Sequence, residues 1–124
     1  MSIAVSERYR EMVDRGKSPV FGPKSTLDVY AGCRPVKSNT LLLHADKVRL
    51  RPDRKLAGYR SDGPVSLESV AIGTAGCFRL TSDDPDVWIE GDVGTSSGDM
   101  RFNSVALDGS PVVLHKVFLE RVSP

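Results

Sequence analysis

The segment Val87–Leu107, with the sequence VWIEGDVGTSSGDMRFNSVAL, constrains the fold more than any other part of the chain. Val87 and Ile89 near its start, and Met100 and Phe102 near its end, are apolar residues spaced by two, as in a half-buried β-strand. The polar run between these pairs includes three glycines, three hydroxyl residues and two aspartates, all of which favour a turn. The segment therefore predicts a strand, a turn that reverses the chain, and a second strand.

Short segments of the same kind continue from Thr26 to the end of the chain. Turn signals such as Asp62-Gly63-Pro64 and Asp108-Gly109-Ser110-Pro111 separate them about every eight to twelve residues. This spacing predicts an all-β fold, namely an antiparallel β-sandwich, jelly roll or small barrel of about seven or eight strands. The spacing argues against alternating βαβ units. Val112–Val122 is predicted to be the longest strand, and the apolar residues on both of its faces indicate a strand buried on both sides or a bulge that shifts the register midway.

The chain begins with a predicted helix and a connector. Ser6 is a suitable N-cap, and apolar residues three and four positions apart give residues 6–15 one apolar face. A helix of about ten residues is unstable alone in water, so it must dock on its own domain or on a neighbouring molecule. Residues 16–25 contain two glycines and two prolines and are predicted to be extended. We thus divide the chain into an arm, residues 1–25, and a β domain, residues 26–124.

The charge of the chain is nearly balanced in total but unevenly distributed. Seventeen basic and sixteen acidic residues give a net charge of +1, so no overall field suggests nucleic acid or acidic lipid as a general partner. Residues 34–60 nevertheless carry eight basic residues and two acidic ones, whereas residues 81–99 carry six acidic residues and no basic one. For the basic stretch Lys47–Arg60, with Tyr59 available for stacking, we consider a solvated face, an interface with an acidic protein surface and, least favoured, a nucleic-acid contact.

No motif in the sequence predicts catalysis or metal binding. His44 and His115 do not have the spacing of metal ligands, and the aspartates of residues 83–99 do not follow an EF-hand pattern. Residues 94–98 (GTSSG) match the letters of the GxSxG serine elbow, but they lie in the predicted turn between two strands, whereas an elbow connects a strand to a helix. No complete P-loop motif, GxxxxGK[ST], is present. We therefore expect a protein that is not an enzyme and that needs no cofactor. Cys33 and Cys77 are predicted to be reduced thiols, and the sequence leaves open whether they approach each other.

The beginning of the chain does not resemble a secretion signal. The sequence MSIAVSERYREM carries charges where a signal peptide has an apolar run. No segment approaches the roughly 18 consecutive apolar residues of a membrane-spanning helix. The sequence thus predicts a protein that is made and folds in the cytoplasm and has no membrane partner.

Four glycine-containing motifs occur in a distinctive order: TLDVYAGCRP (26–35), TLL (40–42), GTAGCFR (73–79) and IEGDVGTSSGDMRFN (89–103). They resemble IYSGxxP, GTLL, GTAGWFR and IDGSVGTSGADLNLN in a family of small, β-rich structural proteins encoded among the virion genes of tailed bacteriophages. The similarity in order and rough spacing extends over Thr26–Val122, and Cys77 stands where the family often has tryptophan. The basic residues 47–63 depart from the alanine- and serine-rich character of this region in the family.

The resemblance implies a non-enzymatic structural protein of a phage particle, first of all a capsid decoration or cement protein. A tail, baseplate or head-fibre component is the alternative within the virion. A carbohydrate- or ligand-binding β-sandwich, in which Trp88 and Tyr30 line the site, is the alternative outside it. The implied partners are the major capsid protein, other virion proteins and further copies of this chain, and the implied location is the virion.

For such a protein we predict an interface that combines charge with buried apolar anchors. The basic segment of one copy, or of the capsid lattice, is expected to meet the acidic residues 81–99 of another. Such charge complementarity sets register and steers assembly, whereas apolar anchors supply most of the affinity. For Val20 and Phe21, packing across the top of the protein's own core is the alternative. The candidate interface residues are Tyr9, Val20, Phe21, Lys47, Arg49, Arg51 and Trp88.

Overall fold

The computed structural model of the protein describes residues 3–32, 39–55, 57–96, 98–120 and 122. Over these residues the chain is all-β and sandwich-like with one short helix, which confirms the fold class predicted from the sequence. Cys33 and the turn that ends at Pro35 lie outside the described residues. Several strands are only two or three residues long, so the strands of the described part outnumber the seven or eight predicted. The helix is α1 (Glu7–Asp14). The strands are β1 (Ala4–Val5), β2 (Thr26–Ala31), β3 (Leu41–Ala45), β4 (Leu50–Asp53), β5 (Gly58–Ser61), β6 (Val65–Ser69), β7 (Gly73–Thr81), β8 (Trp88–Gly94), β9 (Met100–Arg101), β10 (Ala106–Leu107), β11 (Val112–Leu114) and β12 (Phe118–Leu119).

The larger of the two sheets is built around β7. Its strand order is β1-β8-β7-β2-β3-β6-β11, and neighbouring strands along this path are antiparallel. Strand β10 pairs with β7, and β9 pairs with β8. The four motifs that resemble the phage family lie on β2, β3, β7 and β8–β9, so they occupy adjacent strands of this sheet.

The smaller sheet has the order β12-β5-β4. The end of the chain contributes to both sheets, because β11 pairs with β6 whereas β12 pairs with β5. Between them, the Val117 amide donates to the Ser61 hydroxyl oxygen at 2.8 Å and directs the chain to the second sheet. The prediction of one long strand over Val112–Val122 is therefore wrong. The apolar residues on both of its faces reflect a change of sheet rather than a strand buried on both sides.

The segment after β8 does not form the reversing hairpin predicted from the sequence. Strand β9 runs parallel to β8, with Val93 opposite Met100. The Asp92 amide donates to Asp99 Oδ2 at 2.8 Å, and the Asp99 amide donates to the Asp92 carbonyl oxygen at 3.0 Å. These two hydrogen bonds close a loop that returns the chain to its original direction. The glycines and aspartates thus do form a turn, but one with a different geometry.

The inner faces of the two sheets share one core. In the larger sheet, Leu27 and Val29 of β2 are buried alternately, as the period of two predicts, whereas β7 and β8 also bury the consecutive residues 77–78 and 89–91. The smaller sheet contributes Leu50, Tyr59 and Leu119, which belong to the same hydrophobic cluster. The outer faces of both sheets point away from this core and carry most of the charged residues of the strands.

The N-terminal segment docks on its own β domain. Strand β1 pairs with β8, and the Ser6 side chain caps α1 by accepting a hydrogen bond from the Tyr9 amide at 3.2 Å. The Tyr9 hydroxyl lies 3.1 Å from the Tyr59 hydroxyl, which donates to the carbonyl oxygen of Pro19 at 2.9 Å. Of the two docking partners considered for the helix, the structure therefore shows its own domain. The segment that we interpreted as an arm is integrated into the sandwich.

Candidate interaction surfaces

The seven predicted interface residues lie in different environments. Tyr9 is 4% exposed and Phe21 is fully buried, because both pack around Tyr59 in the core. This corrects the prediction that they are surface anchors, and for Phe21 it decides in favour of the alternative that it packs on the core. Trp88 is half-buried. The exposed members of the set are Val20, Lys47, Arg49 and Arg51.

A cleft of about 420 Å³ lies between residues 46–49 and residues 62–66. Each carboxylate at its edge already has a cationic or histidine partner. Asp46 Oδ1 lies 2.7 Å from His44 Nε2, and Asp62 Oδ1 lies 2.7 Å from Arg51 Nε. The cleft therefore offers little uncompensated negative charge.

Lys47 and Arg49, which we call the cationic rim, line the same cleft. Both side chains are exposed, and neither has an ion-pair partner within the described ranges. Lys47 also has φ 54°, in the left-handed region that is costly for residues other than glycine, by roughly 1–2 kcal/mol. The strict alternation of charged and apolar residues over 47–51 predicts an edge strand or exposed sheet face that begins at Lys47, but because of this turn the strand begins only at Leu50. The rim makes this cleft attractive to anionic groups.

The outer face of the smaller sheet, which we call the basic face, continues from this rim. Arg51 lies opposite Arg60 on β5, and Arg60 lies opposite Phe118 on β12. Phe118 is 46% exposed, with the Lys116 ammonium 6.0 Å from its ring centre. Arg60 Nε is 3.4 Å from Asp53 Oδ2, so part of this positive charge is compensated. The basic face combines cations with one exposed aromatic ring.

The acidic turn, residues 83–86, connects β7 to β8 and is exposed throughout. Its aspartates form hydrogen bonds that define the turn. Asp83 Oδ1 accepts from the Lys24 amide at 3.0 Å, and Asp84 Oδ1 accepts from the Asp86 amide at 3.0 Å. Part of the acidic stretch noted in the sequence therefore has a structural role, as is common for aspartates in turns. Its negative charges nevertheless remain at the surface.

A row of alternating charges crosses the outer face of the larger sheet. Its members lie opposite one another on neighbouring strands, which places their side chains on one face. In order they are Glu90 on β8, Arg79 on β7, Asp28 on β2, His44 on β3 and Glu68 on β6. This row is not among the residues predicted from the sequence, because its members become neighbours only through the pairing of five strands. The alternating charged and apolar residues of each strand were the only available signal.

At one end of this charged row, Arg79 joins Glu90 to Trp88. The Arg79 Nε donates to Glu90 Oε2 at 2.7 Å, and its guanidinium carbon lies 4.5 Å from the centre of the Trp88 ring. This combination of ion pair and cation–π contact holds the guanidinium over the indole. One face of Trp88 is therefore covered from within the molecule, which reduces its value as an apolar anchor for a partner.

Near the other end of the row, His44 lies between two carboxylates. Its Nδ1 is 2.5 Å from Asp28 Oδ1, and its Nε2 is 2.7 Å from Asp46 Oδ1. The hydrogen bond to Asp28 raises the pKa of His44 above the ordinary histidine value, partial burial opposes this, and Asp46 adds to the increase. The charged imidazolium form is thus favoured in the folded protein.

We expect His44→Gln to reduce stability more in weakly acidic solution than in alkaline solution. A raised pKa in the folded state stabilises the fold fully below the unfolded pKa of about 6.5, and this contribution is lost as pH rises through the folded pKa. Because about a third of the side chain is exposed, we expect a difference of at most about 1 kcal/mol. Urea unfolding at about pH 5.5 and about pH 9 measures it. A variant of the exposed His115, His115→Gln, is the control. An effect of His44→Gln that is equal at both values would contradict this account.

In the part of the chain that the structure describes, no group of three or more His, Cys, Asp and Glu residues could hold a metal ion. None of the helices described is long and apolar enough to cross a membrane. Comparisons of the chain with protein-family models, with curated proteins and with solved structures find no match.

Proposed function

We propose that this protein is a non-enzymatic structural component of a tailed-phage particle, in the first place a capsid decoration or cement protein. The four motifs that resemble the virion family support the proposal, because they lie on adjacent strands of one sheet instead of being scattered over the fold. In this proposal the sandwich is a rigid body, and its exposed charges make the contacts with neighbouring proteins. The partners are the major capsid protein, other virion proteins and further copies of the chain.

The observation that carries the binding mechanism is the cationic rim. Lys47 and Arg49 are exposed beside a cleft whose carboxylates already have partners. An acidic surface of a neighbouring protein would complete this arrangement, and Arg51 on the adjoining basic face would extend it. Contacts of this kind set orientation and the rate of association more than affinity. The exposed Val20 and Phe118 are the apolar residues that support affinity in this proposal.

A carbohydrate site at Trp88 and Tyr30 has less support. Arg79 already covers one face of the indole. Tyr30 is only half-exposed and lies opposite the buried Cys77. The flat, open aromatic surface on which a sugar ring would stack is therefore restricted at this position. A tail, baseplate or head-fibre protein would use the same kind of contacts, so the location in the particle has to be measured.

The binding mechanism can be tested in phage particles that carry the wild-type chain or the triple variant Lys47→Ala/Arg49→Ala/Arg51→Ala. Particles are washed at low and at high salt, and the chain is quantified relative to the major capsid protein. We expect the wild-type chain to be retained better at low salt, because salt screens contacts between exposed charges. The triple variant should be depleted at both salt concentrations. Unchanged incorporation of the triple variant at both would contradict the electrostatic mechanism.

A matched control removes the same number of positive charges elsewhere. Arg10, Lys17 and Arg101 are exposed and lie outside the cleft. Their combined replacement by alanine should leave incorporation close to that of the wild-type chain. If this control were depleted as strongly as the triple variant, total charge rather than the cationic rim would determine binding.

A further inference from the structure

We propose that the surface formed by the cationic rim and the acidic turn, on either side of the buried Ser25, is self-complementary and joins two copies of this chain in a symmetric dimer. In this dimer the cationic rim of one copy, Lys47 and Arg49, contacts the acidic turn of the other copy, residues 83–86. The inference specifies one partner and one surface. It rests on the proposed function only in assuming that the cationic rim makes contacts between proteins, and it holds wherever in a particle the protein is located.

The cationic rim and the acidic turn are both held by hydrogen bonds to Ser25 or its neighbours. The Val48 amide donates to the Ser25 carbonyl oxygen at 2.9 Å, which places the cationic rim on one side of Ser25. On the other side, the Ser25 hydroxyl donates to Asp83 Oδ1 at 3.3 Å. Asp83 also packs so closely against Gly22 that a Cβ atom there would lie 2.9 Å from Asp83 Oδ2. The rim and the acidic turn are therefore fixed next to each other on one surface.

These neighbouring charges do not neutralise each other. No ion pair joins the rim to the acidic turn in the described residues. Asp84 and Asp86 are exposed, and the Asp86 amide donates to Asp84 Oδ1, so this hydrogen bond brings no positive charge to either carboxylate. Lys47 and Arg49 are likewise exposed. The isolated chain thus presents adjacent patches of opposite sign that are both without compensation.

Two-fold symmetry allows each charged patch to meet the patch of opposite sign on the other copy. A two-fold axis brings the same surface of two copies together, so that residue i of one copy meets residue j of the other and the reverse contact forms as well. A surface with a positive and a negative patch side by side is complementary to itself under such a rotation. Each dimer would then contain two contacts between a cationic rim and an acidic turn. The open cleft beside the rim offers room for the turn, whose tip is the exposed Pro85.

The backbone at Lys47 supports a role for its side chain. At φ 54° glycine would be the less strained residue, and the Lys47 ammonium forms no ion pair within the described residues. The dimer supplies such a contact. Lys47→Gly should therefore leave the folded monomer at least as stable as the wild type while weakening the dimer.

The test measures the dissociation constant of the dimer by sedimentation velocity for two charge-reversal variants. Lys47→Glu/Arg49→Glu makes both patches acidic, and Asp84→Lys/Asp86→Lys makes both basic. We expect each variant alone to dimerise at least about tenfold more weakly than the wild type, and an equimolar mixture of the two to form a heterodimer. All four substitutions in one chain should restore homodimers. Dimerisation should weaken as salt is added.

Controls separate a lost contact from a lost fold. Circular dichroism checks that each variant is folded, and Asp86→Lys alone serves if loss of the Asp84 side chain disturbs the turn. Arg54→Glu/Lys55→Glu reverses two exposed charges outside the cleft and should leave the dimer unchanged.

A specific dimer is expected to form at concentrations below about 1 mM. A wild-type chain that stays monomeric up to this concentration would therefore overturn the inference. A mixture of the two reversed variants that fails to associate would overturn it as well. The proposed function is tested separately by the presence of the chain in particles. A dimer in solution with no chain in particles would refute the function alone, and particles containing a monomeric chain would refute this inference alone.

Discussion

Gly76→Ala is expected to destabilise the protein by at least about 3 kcal/mol, a large share of the roughly 5–15 kcal/mol that stabilises a typical domain. A Cβ atom on Gly76 would lie 1.9 Å from the carbonyl oxygen of Gly32 and 2.7 Å from its carbonyl carbon. Both are backbone atoms, so no side chain can rotate away to make room. Relief would require β2 and β7 to separate at the centre of the larger sheet.

The pairing of β2 with β7 explains why the contact is so close. Its register shifts between Tyr30 and Ala31: Tyr30 lies opposite Cys77 and Ala31 opposite Ala75, so Gly76 is the extra residue of a bulge in β7. Gly76 belongs to the GTAGCFR motif, and Gly32 belongs to the TLDVYAGCRP motif. The close approach of these two glycines therefore gives a packing reason for small residues in both motifs.

Chemical denaturation followed by circular dichroism measures the effect, and Gly63→Ala is the matched control. No atom lies within 4 Å of the position that a Cβ on Gly63 would occupy, and its φ is not in the left-handed region. We expect this control to be neutral or to stabilise the protein by up to about 1 kcal/mol, because alanine restricts the unfolded chain. A Gly76→Ala variant within about 0.5 kcal/mol of the wild type would show that the two strands do not approach as described.

Phe21→Ala is expected to cost about 3–5 kcal/mol of stability. Phe21 is fully buried, and its ring meets the ring of Tyr59 edge to face, with centroids 5.0 Å apart. Residue 21 also pairs with Leu50, so its side chain fills the core where the N-terminal segment crosses the smaller sheet. Truncation would leave a cavity at this junction and weaken the docking of the segment.

The neighbouring residue provides the control for Phe21. Val20 is 64% exposed, so Val20→Ala should change the free energy of unfolding by less than about 0.5 kcal/mol. Both variants can be compared by urea denaturation. If Phe21→Ala kept the wild-type stability and instead lost association with a partner, Phe21 would be a surface anchor and not a core residue.

The sequence was sufficient for the fold class because alternation and turn residues act locally. The alternating buried and exposed residues of β2 follow directly from their order in the chain. Two features depended on distant contacts and were predicted wrongly. Val112–Val122 divides between two sheets because of the Ser61 side chain, and the segment after β8 returns in parallel because Asp99 bonds to Asp92. Neither interaction can be recognised from the local pattern.

The same distinction applies to the candidate surfaces. Charge alone predicts exposure, and Lys47, Arg49 and Arg51 are indeed exposed. An apolar residue in a Gly/Pro-rich connector gives no such indication, so Val20 and Phe21, adjacent in sequence, could not be assigned to surface and core. The proximity of the acidic turn to the cationic rim depends on Ser25, which bonds to both sides. It becomes visible only in three dimensions.

The copy number of this chain in fractionated phage particles tests the proposed function most directly. Purified particles are separated into heads and tails, and the chain is quantified against the major capsid protein. For a decoration or cement protein we expect copies on the order of hundreds per particle, confined to heads, because such a protein follows the repeated symmetric lattice of the capsid. A few to a few dozen copies in tails, by the same symmetry argument, would assign the chain to the tail, baseplate or a fibre. Its absence from both fractions would contradict the structural role.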